Sequence, residues 1–223
     1  MRWPVACELL VSGLSFAVLG ARAEPFAATP QLTLRVLVEE NTGADIYAIA
    51  LRAQIMLEPQ KRHYEELEAA ALTDLFGTQE RYGDTLRPML WVHTSQVVSA
   101  FCGSTDIDIP VPCSYDFDVA AHKYLSALES GEIPINVLFS GTVIERGETG
   151  VASSFVPWSC EARFRLPLAV WRATMDAHFP SSAWLRVSRE TFGELQRYKS
   201  AQQCPTWDTA LMRLIDGAPV GPL

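Results

Sequence analysis

The sequence predicts an α+β fold: an antiparallel β-sandwich of Ig-like architecture with helical insertions and a helical C-terminal part. Three observations carry this. The first half holds runs in which apolar and polar residues alternate at period two, the mark of strands with one wet face. Asn/Gly and Pro-rich turn chemistry separates these runs. Beyond Pro167 the apolar period lengthens to that of a helix.

Taken in order, Ser12 to Gly20 reads as a first strand, with Leu14, Phe16 and Val18 alternating. Gln31 to Glu39 puts Leu32, Leu34, Val36 and Val38 on one face. Asn41-Thr42-Gly43-Ala44-Asp45 supplies a turn. Ile46 to Leu57 alternates again, with Tyr47, Ile49, Leu51, Ala53, Ile55 and Leu57 on one face, so the two runs are expected to pair as an antiparallel hairpin. Glu65 to Phe76 has helix-forming composition and stops at Gly77. Asp84 to Pro88 reads as a loop, Trp91 to Phe101 and Thr105 to Val111 as strands.

Asp116 is placed to cap a helix running to Glu129, with Phe117, Ala121, Tyr124, Leu125 and Leu128 on its apolar side. Ile133 to Glu145 is apolar on both faces at Val137-Leu138-Phe139, as a central strand is. Val151 to Leu166 is extended, interrupted at Pro157. Pro167 suits a first helical position, and Leu168, Trp171, Met175 and Phe179 keep helical spacing. A short strand at Ala183 to Val187, a capping box at Thr191-Phe192-Gly193-Glu194 and a last helix after Pro205-Thr206 complete the reading. In that last helix Trp207, Leu211 and Leu214 share a face. One globular domain over residues 14–223 is expected.

The 223 residues are enough for one sizeable core. Lys and Arg number 18 against 26 Asp and Glu, a net charge of −8 with no basic stripe. Such a surface repels phosphate backbones and anionic lipid, so neither nucleic acid nor membrane is an expected partner. Val5 to Ala21 is apolar and Ala21-Arg22-Ala23 mimics a signal-peptidase site, but Glu8 interrupts the stretch and only Arg2 precedes it. A cytoplasmic protein is the expectation.

No GxxxxGK phosphate loop, GxGxxG, GxSxG or HExxH occurs, which removes the motif-borne enzyme classes and leaves open enzymes without local motifs. No motif names a cofactor. Cys102, Cys113 and His122, with His93 upstream, form the one cluster with metal-ligand chemistry, although the spacing fits no standard site. His122 falls about 130° from the centre of its helix's apolar stripe, so it is expected to be exposed. Asp106, Asp108, Asp116 and Asp118 read as a solvated strand face and a helix cap rather than a calcium site. Lys61-Arg62-His63 reads as the solvated entrance to a helix. Among the cysteines, Cys102, Cys113 and Cys160 are expected to be buried and Cys204 to be the most exposed and reactive. Trp158 and Trp207, at element edges, are candidate partner anchors.

An ordered string of local patterns carries a resemblance. It runs from Leu32-Thr33-Leu34-Arg35 through Ala50-Leu51-Arg52-Ala53-Gln54-Ile55 and Asp84-Thr85-Leu86-Arg87-Pro88-Met89-Leu90-Trp91. It continues with Ile109-Pro110-Val111-Pro112-Cys113-Ser114-Tyr115-Asp116-Phe117 and Leu138-Phe139-Ser140-Gly141-Thr142-Val143. Leu166-Pro167-Leu168-Ala169-Val170-Trp171 and Pro205-Thr206-Trp207-Asp208 end it. The chain resembles an uncharacterised bacterial domain-of-unknown-function family of this length, from Leu14 to about Ile215. Residues 1–13 are expected to be an N-terminal extension, from a mis-set start. The resemblance implies no catalytic residue. It implies an association with oxygen-tolerant nickel–iron hydrogenases, whose genes lie near those of the family.

The expected function is therefore a non-catalytic accessory protein that binds a partner protein, a hydrogenase component being the partner the resemblance suggests. The alternative is a metal-handling protein or metalloenzyme using Cys102, Cys113 and His122. A third reading is a sandwich that holds a small apolar ligand between sheet and helices.

Overall fold

Alternating apolar residues need a second layer to cover them, and the chain supplies it with a second sheet. The computed structural model describes residues 13–113, 120–147, 150–180 and 186–218. Strands β1 (Leu14–Ala23), β2 (Gln31–Glu40) and β6 (Ser104–Pro112) form an antiparallel sheet in the order β1-β2-β6. The second antiparallel sheet runs β4 (Met89–Val98), β3 (Asp45–Leu57), β7 (Glu132–Gly147), β8 (Gly150–Phe155). Short β5 (Phe101–Cys102) pairs with the start of β3, and β9 (Glu161–Pro167) with the first half of β7.

The period-two faces meet in one core. Leu32, Leu34, Val36 and Val38 of β2 are buried, as are Ile49, Leu51, Ala53, Ile55 and Leu57 of β3 and Val137 and Phe139 of β7. Phe16 of β1 stacks on Phe139 of the other sheet, ring centroids 4.2 Å apart. The fold is thus α+β and sandwich-like.

β2 and β3 are not a hairpin, contrary to expectation. β2 pairs with β1 and β6, β3 with β4, β5 and β7. The polar turn between them carries the chain from one sheet to the other. Buried Glu40 holds that corner: its carboxylate accepts the amides of Thr42 (2.9 Å), Gly43 (2.7 Å) and Ala44 (2.8 Å). Burial raises the Glu40 pKa, but the Thr42 hydroxyl and these amides outweigh it and leave the carboxyl below its ordinary range. A register shift between Ile46 and Ala48 turns Tyr47 outward, off the face the alternation assigned it.

Helices close one end of the sandwich. The helix expected over Glu65 to Phe76 breaks at Leu72 into α1 (Glu66–Ala71) and α2 (Thr73–Phe76), then stops at Gly77, φ +78. The expected loop at 84–88 begins inside α3 (Tyr82–Thr85). Helix α4 spans Ala120–Ala127 and α5 spans Leu168–His178, with Pro167 as its N-cap rather than its first residue. Arg62 is not part of a solvated entrance. It is mostly buried against Glu68, at 2.5 Å, and donates to the carbonyls of Glu132 (2.7 Å) and Ser130 (2.6 Å). Tyr64 Oη donates to Pro59 O at 2.7 Å and lies 3.0 Å from Tyr124 Oη, tying the β3–α1 connection to α4. Among the described residues no helix is long and apolar enough to cross a membrane.

The chain divides into two compact units at Ser182/Ala183. The second contains α6 (Arg189–Ala201) and α7 (Trp207–Asp216). Ser188 caps α6 by accepting the Thr191 amide at 3.1 Å, three residues before the expected capping box. Thr206 caps α7 the same way, through Thr209 N at 3.1 Å. The strand expected at 183–187 falls partly outside the described residues, and Arg186 and Val187 are not in a strand.

Candidate functional site

The helices at the end of the sandwich leave a cavity of about 290 Å³. β6 ends at Pro112, opposite Gln31, and the Cys113 amide donates to Pro30 O at 2.8 Å. That clamp presents Cys113 to the cavity. β4 contributes Trp91 and Val92, α4 contributes Ala121, His122 and Leu125, and α5 contributes Trp171. Cys113 and His122, 9 positions apart in sequence, thus share one wall, while Cys102 does not join them. Cys102 precedes β6 and Cys113 follows it, so the whole strand, roughly 30 Å at its ordinary rise, separates the two.

His122 is buried, not exposed as its place on the helical wheel suggested. A wheel reveals one apolar stripe. α4 is covered on a second side, where the His122 ring lies 5.7 Å from that of Trp171. His122 Nε2 and Ser126 Oγ are 3.1 Å apart, a hydrogen bond within the helix. Burial pushes the Cys113 thiol up to about 12, so it stays protonated at neutral pH and donates weakly to Val111 O at 3.6 Å. A protonated thiol is a poor nucleophile. The structure brings Cys113 and His122 together and leaves Cys102 at the far end of β6. Among the described residues no group of three or more His, Cys, Asp or Glu side chains is placed to hold a metal.

The cysteine ranking is also reversed. Cys102 is exposed, whereas Cys204 is buried with Cys113 and Cys160. Cys204 Sγ is covered by Arg213, whose Nη1 donates to it at 3.5 Å and to Gln202 O at 2.8 Å. Cys102 Sγ donates to Asp45 Oδ1 at 3.3 Å, and that bond with the charge behind it raises the thiol pKa. Access still decides the rate. Of the four described cysteines, Cys102 is expected to react first with a maleimide in the native protein, with Cys113, Cys160 and Cys204 labelled only after unfolding. Peptide mass mapping of a labelling time course reads the order. Early modification of Cys204 would show that its Arg213 cover opens readily.

Asp106 and Asp108 do occupy the outer face of their sheet. Asp108 takes a two-pronged contact from Arg22 (3.1 and 3.0 Å), and Arg35 pairs with Asp106. Asp116, Asp118, Trp3, Trp184 and Cys7 lie outside the described residues. Trp158 is exposed in the loop before β9.

The C-terminal unit offers a second feature. α6 and α7 contact each other through Phe192 and Trp207, ring centroids 5.4 Å apart, with Lys199 Nζ 5.6 Å from the Trp207 ring centroid. Ala210 is buried, but Trp207, Met212, Leu214 and Ile215 remain exposed, Ile215 at 65%. Trp207, Leu211 and Leu214 share the face expected from their spacing, and Ile215 widens it. Exposed large apolar side chains gathered on one helix mark an interaction surface more often than scattered ones do.

A family model matches residues 11–221. The chain belongs to DUF6084, a family of unknown function. The match takes in both compact units. No curated protein matches the sequence. Among solved structures, the chain is similar to the CARDB domain of the PF1109 protein from Pyrococcus furiosus, solved with two metal ions. Identity is 9%, the TM-score 0.27, and the match covers 75% of this chain and 98% of that one. It is similar to the putative ApaA protein of Bordetella pertussis at 12% identity and a TM-score of 0.26, over 70% of this chain and 94% of the other. It also matches 15% of a β-glucosidase from Kluyveromyces marxianus, over 69% of this chain, at 7% identity and a TM-score of 0.26. The architecture of this DUF6084 chain rests on its own strand pairing, and these likenesses add nothing about its chemistry.

Proposed function

We propose that this protein is a non-catalytic accessory protein, working in the cytoplasm, that binds a partner protein by laying α7 into an apolar groove of that partner. The observation that supports the reading is the apolar stripe on a capped helix in which Trp207, Leu214 and Ile215 are exposed and Leu211 is half-buried. Helix-in-groove recognition uses anchors at i, i+4 and i+7, which is the spacing of Trp207, Leu211 and Leu214. Trp207 has the size and rigidity of a binding hot spot. The described residues 186–218 carry five basic and four acidic side chains, so the unit is near neutral in a chain of net charge −8. No strong field opposes an apolar contact there. A nickel–iron hydrogenase component is the first partner to test, on the family resemblance alone.

The test is affinity capture from the native host with wild type and with a Leu214→Glu/Ile215→Glu double variant, identified by mass spectrometry. One reproducible partner is expected with wild type, and loss of at least tenfold of its signal with the variant. Both variant positions lie on an exposed helix, so the sandwich should melt at the same temperature in both proteins. Equal capture by the variant, no reproducible partner, or recovery of only a second copy of the chain would overturn the reading.

A further inference from the structure

We propose that the free edge of β8 is a self-pairing surface, through which two copies of this chain join their sheets as a two-fold dimer. The proposal is independent of partner binding by α7. β8 ends its sheet, and among the described residues it pairs with β7 alone. The Val156 amide donates to Gly141 O at 3.0 Å, and the same register continues through Val143 opposite Ser154 and Glu145 opposite Ala152. The N–H and C=O groups of successive strand residues point to alternate sides, so those of Ala152 and Ser154 face β7. Those of Val151, Ser153 and Phe155 face the free edge, and among the described residues nothing takes them. All three residues are exposed, Val151 at 72% and Phe155 at 73%.

Proteins ordinarily blunt such an edge with charge, proline, a bulge or a covering element. The other edges of the two sheets are treated this way. β6 carries Asp106, Asp108, Pro110 and Pro112, and β9 carries Glu161, Arg163 and Arg165. β1 breaks register between Val18 and Gly20 and runs beside β9, while β4 runs beside β6. β8 has no charged residue, no proline and an unbroken register. Its outward residues fit a second copy of the same strand. An antiparallel two-fold at Ser153 sets that residue opposite itself and Val151 opposite Phe155 of the second copy, with two hydrogen bonds for each opposed pair. Val151 and Phe155, on one face by the period of two, then cover each other as an aliphatic–aromatic cross-strand pair. The uncharged strand lets two chains of net charge −8 meet without like charges in the contact. Each copy spends its free edge on the other, so assembly stops at two. Six residues a side are fewer than the roughly 20–30 of a standard interface, so the dimer is expected to dissociate on dilution.

The experiment is sedimentation equilibrium of the full-length protein over a concentration series. A reversible monomer–dimer equilibrium is expected, with no larger species. Ser153→Lys sets two ammonium groups face to face on the two-fold and should weaken the dimer at least tenfold. Ser153→Thr keeps the pairing and should dimerise as wild type does. Position 153 is exposed, so the thermal midpoints of these variants should match that of wild type. Val151→Pro serves if the lysine variant fails to fold, because it removes an N–H that β7 does not use. The Leu214→Glu/Ile215→Glu variant should also dimerise as wild type does, which separates this contact from any made by α7. A monomer at every concentration, assemblies beyond the dimer, or undiminished dimerisation of a folded Ser153→Lys or Val151→Pro variant would overturn the proposal. Loss of the dimer in the α7 variant would do the same.

Discussion

Gly141→Ala is expected to destabilise the protein by about 4 kcal/mol, near the upper end of single-residue effects. Gly141 lies in the middle of β7, directly opposite Leu51 of β3. Its φ is +149°, a backbone conformation that L side chains rarely adopt. A Cβ built there would sit 2.1 Å from Ala50 O, far inside any real contact. The obstacle is backbone of the central strand, so relief requires β3 and β7 to part where both bury core side chains. Small domains have about 5–15 kcal/mol in total, so the variant should be largely unfolded well below the wild-type midpoint. Gly20→Ala is the matched control. Nothing lies within 4 Å of the added Cβ, and the change should fall within about 1 kcal/mol. Urea midpoints of the two variants read the difference.

The next largest effect is expected at the Arg62–Glu68 pair. Glu68 is buried, accepts from Arg62 at 2.5 Å and takes the Glu129 amide at 2.7 Å. It thereby joins α1, the β3–α1 connection and the turn before β7. Glu68→Ala strands a buried guanidinium and an amide at once, and should cost about 3–5 kcal/mol. Arg62→Met keeps the packing of the stem but leaves the buried Glu68 carboxylate without its cation, and should cost about 3–5 kcal/mol as well. The pair also sets a pH dependence. Burial raises the Glu68 pKa, but the Glu129 amide and Arg62 outweigh it, so the folded-state value lies below the ordinary one. The unfolded state then binds the proton more readily. The stabilisation is full above the ordinary carboxylate value, about 4.3, and is lost as pH falls through the folded value. Glu40 titrates in the same sense, so Glu68→Gln should flatten the acid limb of a stability–pH curve without abolishing it. An unchanged limb would show that Glu68 is not held ionised by these partners.

What the sequence made legible follows from what alternation records. It assigns faces, and the faces of β1, β2 and β3 came out inward as read, from Leu14 and Phe16 to Ile55 and Leu57. It does not record partners. Gln31 to Glu40 and Asp45 to Leu57 look like a hairpin because a corner between sheets and a hairpin turn use the same residues. Only the burial of Glu40, invisible in composition, separates the two. Tyr47 was misplaced because one irregular step reverses a face. The cavity was illegible for another reason. Trp91, Cys113, His122 and Trp171 span 80 positions and meet only because four elements converge. The stripe on α7 was legible from its spacing, but a covered stripe and an exposed one have the same sequence.

That exposed stripe carries the functional proposal, and site-specific photo-cross-linking in the native host tests it most directly. A benzophenone amino acid is placed at Ile215, on the apolar face of α7, and in a separate protein at Asp216, about 100° around the helix. The account predicts a discrete cross-linked species to one partner protein from position 215 and little or none from position 216. Equal cross-linking from both positions, or none from 215 while the protein remains folded, would contradict it.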